Sequence, residues 1–201
     1  MCGRYFLGES RELDQILTFA EQSPLRLKLE ASCHKTMKTG GEIFPGDLVP
    51  VIARSKAGNR RVFPMVWGFQ NDRQLVINAR FETAGEKPMF RDAWKNHRCI
   101  VPASHYFEWK KDEKTGKSGS KYLLQPRSEE NTWLCGLYRM EGDVPHFVIL
   151  TREPGPYIFL IHDRMPMILA RDAINAWIDP ACDAAAFEKR ALTEMYFEKT
   201  D

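Results

Sequence analysis

The chain begins MCGRYF, and its second residue is the first that could do chemistry. Methionine is usually trimmed when a small residue follows, which would leave Cys2 with an α-amine and a thiol on adjacent carbons. Reference pKa values of about 7.7–8.0 for the amine and about 8.5 for the thiol make an appreciable fraction of each nucleophilic near neutral pH. From its position alone, a cysteine at residue 2 is more ordinarily a residue on a frayed terminus, and the rest of the chain has to decide. Three further stretches set polar groups into apolar surroundings. In VINARFET (76–83), Val76 and Ile77 run into Asn78, Arg80 and Glu82, a pattern a half-buried edge strand shares. In PASHYFEWKK (102–111), Glu108 lies between Phe107 and Trp109. Desolvation by those aromatics would raise its pKa and suit it to general acid–base work, whereas strict strand alternation would turn it to water. In FLIHDRMPMIL (159–169), His162, Asp163 and Arg164 interrupt an apolar run, as a charge-paired imidazole or as a capped turn.

The elements that must position these groups are mostly strands. Short runs rich in Val, Ile, Phe and Trp follow one another from Leu48: LVPVIAR, RVFPMVWGF, LVINAR, RCIVPA, KYLLQ, TWLCGLYRM and HFVILT. Ser10 is placed to cap a helix with Leu13, Ile16, Leu17 and Ala20 at helical spacing, stopped by Ser23-Pro24. MFRDAWKNH (89–97) reads as a short helix, and KKDEKTGKSGSK (110–121) as a loop tip between strands. The tail reads as helical over RDAINAWI (171–178) and CDAAAFEKRALTEMYF (182–197), with Phe187, Ala191, Leu192 and Met195 on one face. Many strands without alternating helices predict an α+β fold, a largely antiparallel, barrel-like β-sheet with peripheral helices, in a single domain over residues 1–201.

Composition narrows the function. Hydrophobic residues at 43%, charged residues at 28% and a net charge of +2 describe an ordinary globular protein whose charge permits nucleic-acid binding without arguing for it. No apolar run approaches a membrane span, and the first residues hold no secretory apolar region, so a reducing cytosol is expected. Five cysteines at long spacings, with no CxxC pair, fit that compartment. Cys33 and His34 are adjacent, poor geometry for one zinc, so no metal is expected. No phosphate-binding glycine loop and no GxSxG are present, which disfavours those routes to nucleotide binding and serine hydrolysis.

In this order, MCGR, VINAR with its following ET, a FEWK strand and IHDRMP, together with VWGF (66–69) and FRDAW (90–94), closely resemble the SRAP family, the SOS-response-associated peptidase domain. The resemblance runs from Met1 to the region of Trp177. It implies a sensor of abasic sites in single-stranded DNA whose N-terminal cysteine crosslinks covalently to the aldehyde of the ring-opened sugar. Carried over by motif, the site residues are Cys2, Asn78, Glu108 and His162, with Arg4 and Arg80 as phosphate contacts and Trp67 and Trp109 as aromatic base-stacking or wedge residues. No small-molecule cofactor is implied. The expected protein is a monomer, cytoplasmic and associated with the nucleoid when bound to DNA. Two departures stand out. Many members carry an NxAP motif where this chain reads GEIFPGD (41–47), leaving only Pro45 as a match, and His105 stands where a glycine is usual, so a change of pocket rim is expected.

Aminothiol chemistry fits the implied role. The amine condenses with an aldehyde to an imine, and the neighbouring sulfur closes onto the imine carbon as a five-membered thiazolidine. Glu108 is the expected proton mover for opening the closed sugar, Asn78 an orienting hydrogen-bond partner, and His162 a proton donor to the sugar or a phosphate contact. The competing expectation is hydrolytic: an N-terminal-nucleophile amidase or cysteine peptidase, self-processing included, with Asn78 stabilising an oxyanion.

Overall fold

The computed structural model describes residues 2–8, 10–111 and 118–200. In chain order the elements begin with β1 (Arg4–Leu7), α1 (Arg11–Glu21), α2 (Pro24–Cys33), β2 (Gly41–Ile43), β3 (Leu48–Arg54) and β4 (Arg60–Trp67). There follow β5 (Asn78–Arg80), α3 (Phe81–Ala84), α4 (Arg91–Asn96), β6 (Arg98–Ala103), β7 (His105–Lys111) and β8 (Ser118–Pro126). The chain continues through β9 (Thr132–Glu141), β10 (Val144–Arg152), β11 (Met165–Pro166), β12 (Ile168–Leu169), α5 (Ile174–Trp177) and β13 (Met195–Lys199).

β3 pairs antiparallel with β4 and β6, β6 with β9, and β9 with β10. β10 then closes the ring on β4, in parallel, through His146↔Val66 and Phe147↔Trp67. β5 adds to β10 in parallel, with Ile149 opposite Asn78. A second sheet of five strands, ordered β13-β8-β7-β1-β2, is antiparallel throughout. The expected α+β, barrel-like architecture is therefore present, with β4–β10 and β5–β10 as its parallel pairings.

Alternation along the strands sorts side chains into two cores. Val49, Val51 and Ala53 of β3, Met65 and Trp67 of β4, and Phe147 and Ile149 of β10 join Tyr5, Leu7, Tyr106 and Leu124 of the second sheet. The intervening residues, Ile52, Ile100, Val148 and Leu150, face Leu13, Ile16, Phe81, Ala93 and Trp177 from the helices. Each large side chain fully buried this way contributes roughly 1.5–3 kcal/mol. The helix expected after Ser10 forms, with the Ser10 hydroxyl accepting from the Leu13 N–H at 3.2 Å, a cap worth about 1 kcal/mol.

One expectation is extended and one is corrected. Ser23-Pro24 ends α1 but also begins α2, because proline at the first helical position removes no hydrogen bond. Residues 182–197 do not form one helix. A 3₁₀ turn, Ala185–Arg190, is followed by edge strand β13, because Phe187 buries in the helix-side core and Met195 in the other. Buried Arg98 pins the chain entering this tail, donating to the carbonyls of Trp177 at 2.6 Å, Cys182 at 2.9 Å and Asp179. Of the expected loop at 110–121, Lys110 and Lys111 belong to β7 and 118–121 to β8, while 112–117 lie outside the described residues.

Candidate active site

β1 and β7 are antiparallel neighbours with Tyr5 directly opposite Tyr106 and Arg4 opposite Phe107. Alternation then turns Tyr5, Tyr106 and Glu108 to the barrel side, and Arg4, Phe6, His105, Phe107 and Trp109 to the outer side. The water-facing alternative for Glu108 is thus overturned: Glu108 is only 3% exposed. Burial pushes its carboxyl up to about 7.

Cys2 lies just before β1, fully buried in the same core as Tyr5 and Tyr106, with Sγ 4.0 Å from the Arg4 carbonyl oxygen. Burial first, and then the nearby Glu108 charge, push its thiol far above the ordinary range. Asn78 starts β5, and its Nδ2 donates to the Cys2 carbonyl at 2.9 Å. Asn78 Oδ1 is buried with no hydrogen-bond partner among the described residues, an acceptor aimed at nothing.

His162 follows a 3₁₀ turn, Ile158–Leu160, and its N–H donates to the Ile158 carbonyl at 2.9 Å. The ring is largely buried. Its Nδ1 accepts from the Arg164 N–H at 3.0 Å and stands 2.7 Å from Asp163 Oδ1. A neutral ring can take the first contact and an imidazolium the second, so either protonation state has a partner at Nδ1. Arg164 clamps the turn, forking onto Glu82 with both bonds at 2.8 Å and reaching the Thr151 carbonyl at 2.6 Å. Ile158 and Ile161 share the core of Cys2, and the Asp163 charge is felt at Glu108. Cys2, Asn78 and Glu108 are thus brought together, Asn78 by its hydrogen bond to Cys2 and Glu108 by its charge on the thiol, while His162 sits on a turn whose Asp163 charge reaches Glu108.

The expected DNA contacts divide. Arg80 is exposed, with no ion pair among the described residues. Arg4 instead ion-pairs with Glu42 at 2.8 Å and lies 3.8 Å over the Phe44 ring. Trp109 is part-exposed on the outer face, with the Arg4 and Lys121 cations 5.3 and 5.8 Å from its ring. Trp67 is a correction. It is wholly buried, packed against Tyr5 and Phe147, and its indole N–H donates to the Ile77 carbonyl at 3.0 Å. No face remains for a base; the ring instead fixes the chain immediately before Asn78.

The two sequence departures also find their places. In GEIFPGD, Glu42 binds Arg4 and Lys121, while Gly46 and Asp47 hydrogen-bond the backbone of Trp67 at 2.7 and 2.9 Å. His105 stacks on Phe6 at 4.9 Å on the outer face, where burial and then the Lys121 charge lower its pKa to about 4. Its ring lies on the outer face with Phe6, away from the face that carries Glu108.

The family model described as SOS response associated peptidase (SRAP) matches residues 1–200. This chain belongs to the SRAP family. Among curated relatives, "Abasic site processing protein YoaM" of Bacillus subtilis is 34% identical over 134 residues, 61% of this chain and 58% of that protein. "Abasic site processing protein YoqW" of the same organism is 31% identical over 90% of this chain and 81% of its own length. "Abasic site processing protein YedK" of Escherichia coli is 26% identical over 89% and 79%. For the first two relatives the match spans only 58% and 60% of their length. A Bacteroides thetaiotaomicron protein of solved structure superposes with a TM-score of 0.73 at 20% identity, covering 100% of this chain and 92% of that one. A phage-related protein from Bordetella bronchiseptica gives 0.75 at 21% identity over 99% and 94%, a likeness of fold.

Two groups of this SRAP pocket escaped the sequence reading. The hydroxyls of Tyr5 and Tyr106 are buried without a hydrogen-bond partner among the described residues, in the core that holds Cys2. Tyr106 precedes Glu108 by two, so period-2 alternation places both on one face and could have found it. Among the described residues no His, Cys, Asp and Glu side chains cluster to hold a metal, and no helix is long and apolar enough to cross a membrane.

Proposed function

We propose that this SRAP protein captures abasic sites in single-stranded DNA as a covalent thiazolidine on Cys2, with Met1 removed. The supporting observation is the buried grouping around Cys2: Asn78 holds the Cys2 carbonyl at 2.9 Å, and Glu108 lies close enough for its charge to act on the thiol. The names of the relatives point to the same lesion.

The steps balance as follows. Glu108, poised near 7, passes a proton that opens the closed sugar to its aldehyde. The Cys2 amine adds to the aldehyde carbon, and the carbinolamine loses water to give an imine. The sulfur then bonds to that carbon while its proton passes to nitrogen, so the net loss is one water. The thiol is held un-ionised by burial, so it needs a base at the moment of ring closure, and a carboxyl near 7 suits that task. Asn78 Oδ1, the orphaned acceptor, is available to the α-amine and would aim its lone pair. His162, seated between Arg164 and Asp163, donates the proton that reopens the ring. Arg80 takes a flanking phosphate.

The hydrolytic alternative expects Asn78 to stabilise an oxyanion, for which one N–H of its amide is left after the other is engaged on the Cys2 carbonyl. A denaturing gel tests the capture reading. Protein with its natural start should shift a single strand carrying one abasic site, and a residue retained before Cys2 should abolish the shift. A blocked protein that crosslinks at the normal rate ends the idea, since an amide nitrogen forms no imine.

A further inference from the structure

We propose that the turn displaying Tyr157, Phe159 and Leu160 is a stacking platform for an unpaired base beside the lesion; this rests on the abasic-DNA reading above. The turn belongs to EPGPYIFLIHDR (153–164) and ends at His162. It is held rigidly. A Cβ on Gly155 would meet the Thr193 carbonyl oxygen at 2.5 Å, so only glycine fits, and its N–H donates to Met165 Sδ at 3.2 Å. Pro154 and Pro156 on either side restrict the backbone further. Ile158 and Ile161 are buried in the same core cluster as Cys2, one helical turn apart. The residues around them point out: Tyr157 is 66% exposed, Phe159 63% and Leu160 54%.

Tyr157 also adopts φ 70 and ψ −27, a left-handed conformation uncommon for any residue with a large side chain. A strained aromatic held outward on the turn that leads into His162 marks a surface that meets something. A base fits better than a protein for two reasons. First, Arg80, Thr151 and Pro166 are successive register partners on β5, β10 and β11, which sets the exposed Arg80 guanidinium's strand about 10 Å from the end of the same loop. An exposed cation on a strand close to the one that leaves this aromatic turn supplies the two things that hold single strands without reading sequence, a charge for the backbone and ring faces for the bases. Second, an abasic gap strips its neighbouring base of one stacking partner, and a rigid ring at the pocket mouth replaces it at little entropic cost.

The test measures binding without the covalent step, using labelled single strands in which a tetrahydrofuran replaces the abasic sugar and offers no aldehyde. One strand carries bases on both sides of it; in the other, the flanking positions are tetrahydrofuran as well. Wild type should bind the first about 10-fold or more tightly than the second. Tyr157→Gly combined with Phe159→Ser should bind both alike while melting no lower than wild type, because glycine suits a φ of 70. Phe159→Ser alone, at an exposed position, should lose part of the preference and guards against misfolding of the double variant. A double variant that melts normally and keeps the full preference for flanking bases overturns the platform. Wild type that forms an adduct with a true abasic strand yet binds both analogues equally overturns the platform alone. Absence of the adduct overturns the capture reading and the platform with it.

Discussion

Two carboxylates on the same five-stranded sheet, Glu108 and Glu42, have opposite fates. Glu108 on β7 faces the barrel, is 3% exposed, and has its pKa pushed up to about 7 by burial. Glu42 on β2 faces outward, where hydrogen bonds from Lys121 and then from Arg4 hold it below the ordinary carboxylate range. Phe44, Phe107 and Trp109 surround those two cations. The difference comes from alternation alone. One face keeps a proton near neutrality and is suited to moving it; the other keeps a fixed charge and is suited to holding cations in place. A carboxyl that holds its proton to near neutrality and a cluster of paired cations are thereby separated by the thickness of one sheet.

The harshest way to break this division is to remove the nucleophile from the inner face. Cys2→Ala should give no stable adduct on a denaturing gel, because its amine still forms an imine but no sulfur closes the ring. Borohydride should restore a band by reducing that imine to an amine. A Cys2→Ala adduct that survives denaturation without reductant would falsify the thiazolidine mechanism. Next in size is Glu108→Gln, which should give the same product more slowly, by about 10²-fold. Single-turnover gel kinetics check this; an unchanged rate would move the proton transfer to another group.

The same carboxyl makes a sharper comparison through stability. Below about pH 4.5, Glu108 is protonated in both folded and unfolded chains and contributes no penalty. As pH rises from there to about 7, the unfolded chain releases the proton that the folded chain retains, so stability falls, and above 7 the loss is complete. The gap between 4.5 and about 7 corresponds to a loss of up to about 3 kcal/mol. Glu108→Gln should therefore be more stable than wild type at pH 8, with the difference closing toward pH 4.5. Chemical denaturation at both pH values checks it, and a pH-independent difference would show that Glu108 carries no raised pKa.

Much of the site was legible in the sequence because it lies in short motifs that lead straight into strands. What a motif could not say was which way each side chain points. Glu108 between two aromatics is ambiguous until β7 acquires its register against β1, after which the aromatics fall on the outer face and the carboxyl inside. Trp67 and Trp109 look alike as conspicuous indoles, yet one completes a barrel core and the other lies part-exposed beside cations. The tail misled for a related reason. Phe187, Ala191, Leu192 and Met195 share a helical period, but they serve two cores on different layers, which no single helix can do. The exposed Tyr157 turn carried no pattern, since its meaning lies in rigid anchors, Gly155 and Ile158, that only the folded chain defines.

The smallest expected effect lies on the outer face. Arg4 and Lys121 both bind Glu42, so a DNA phosphate approaching them must displace a carboxylate that already occupies the place of an anion. Glu42→Gln keeps the shape and removes the charge. It should strengthen binding of a tetrahydrofuran-containing single strand by a few-fold at low salt and steepen the salt dependence of log affinity by up to about 0.7 per phosphate newly engaged. The gain is modest because the pair is part-exposed and already weakened by screening. Arg80→Ala supplies the opposite sign: an exposed arginine with no ion pair among the described residues should flatten the slope by about 0.7. The two variants together separate a cation held in reserve from one that is free. If Glu42→Gln instead weakens binding, Glu42 orders Arg4 for the strand rather than competing with it, and the outer face is pre-assembled rather than restrained.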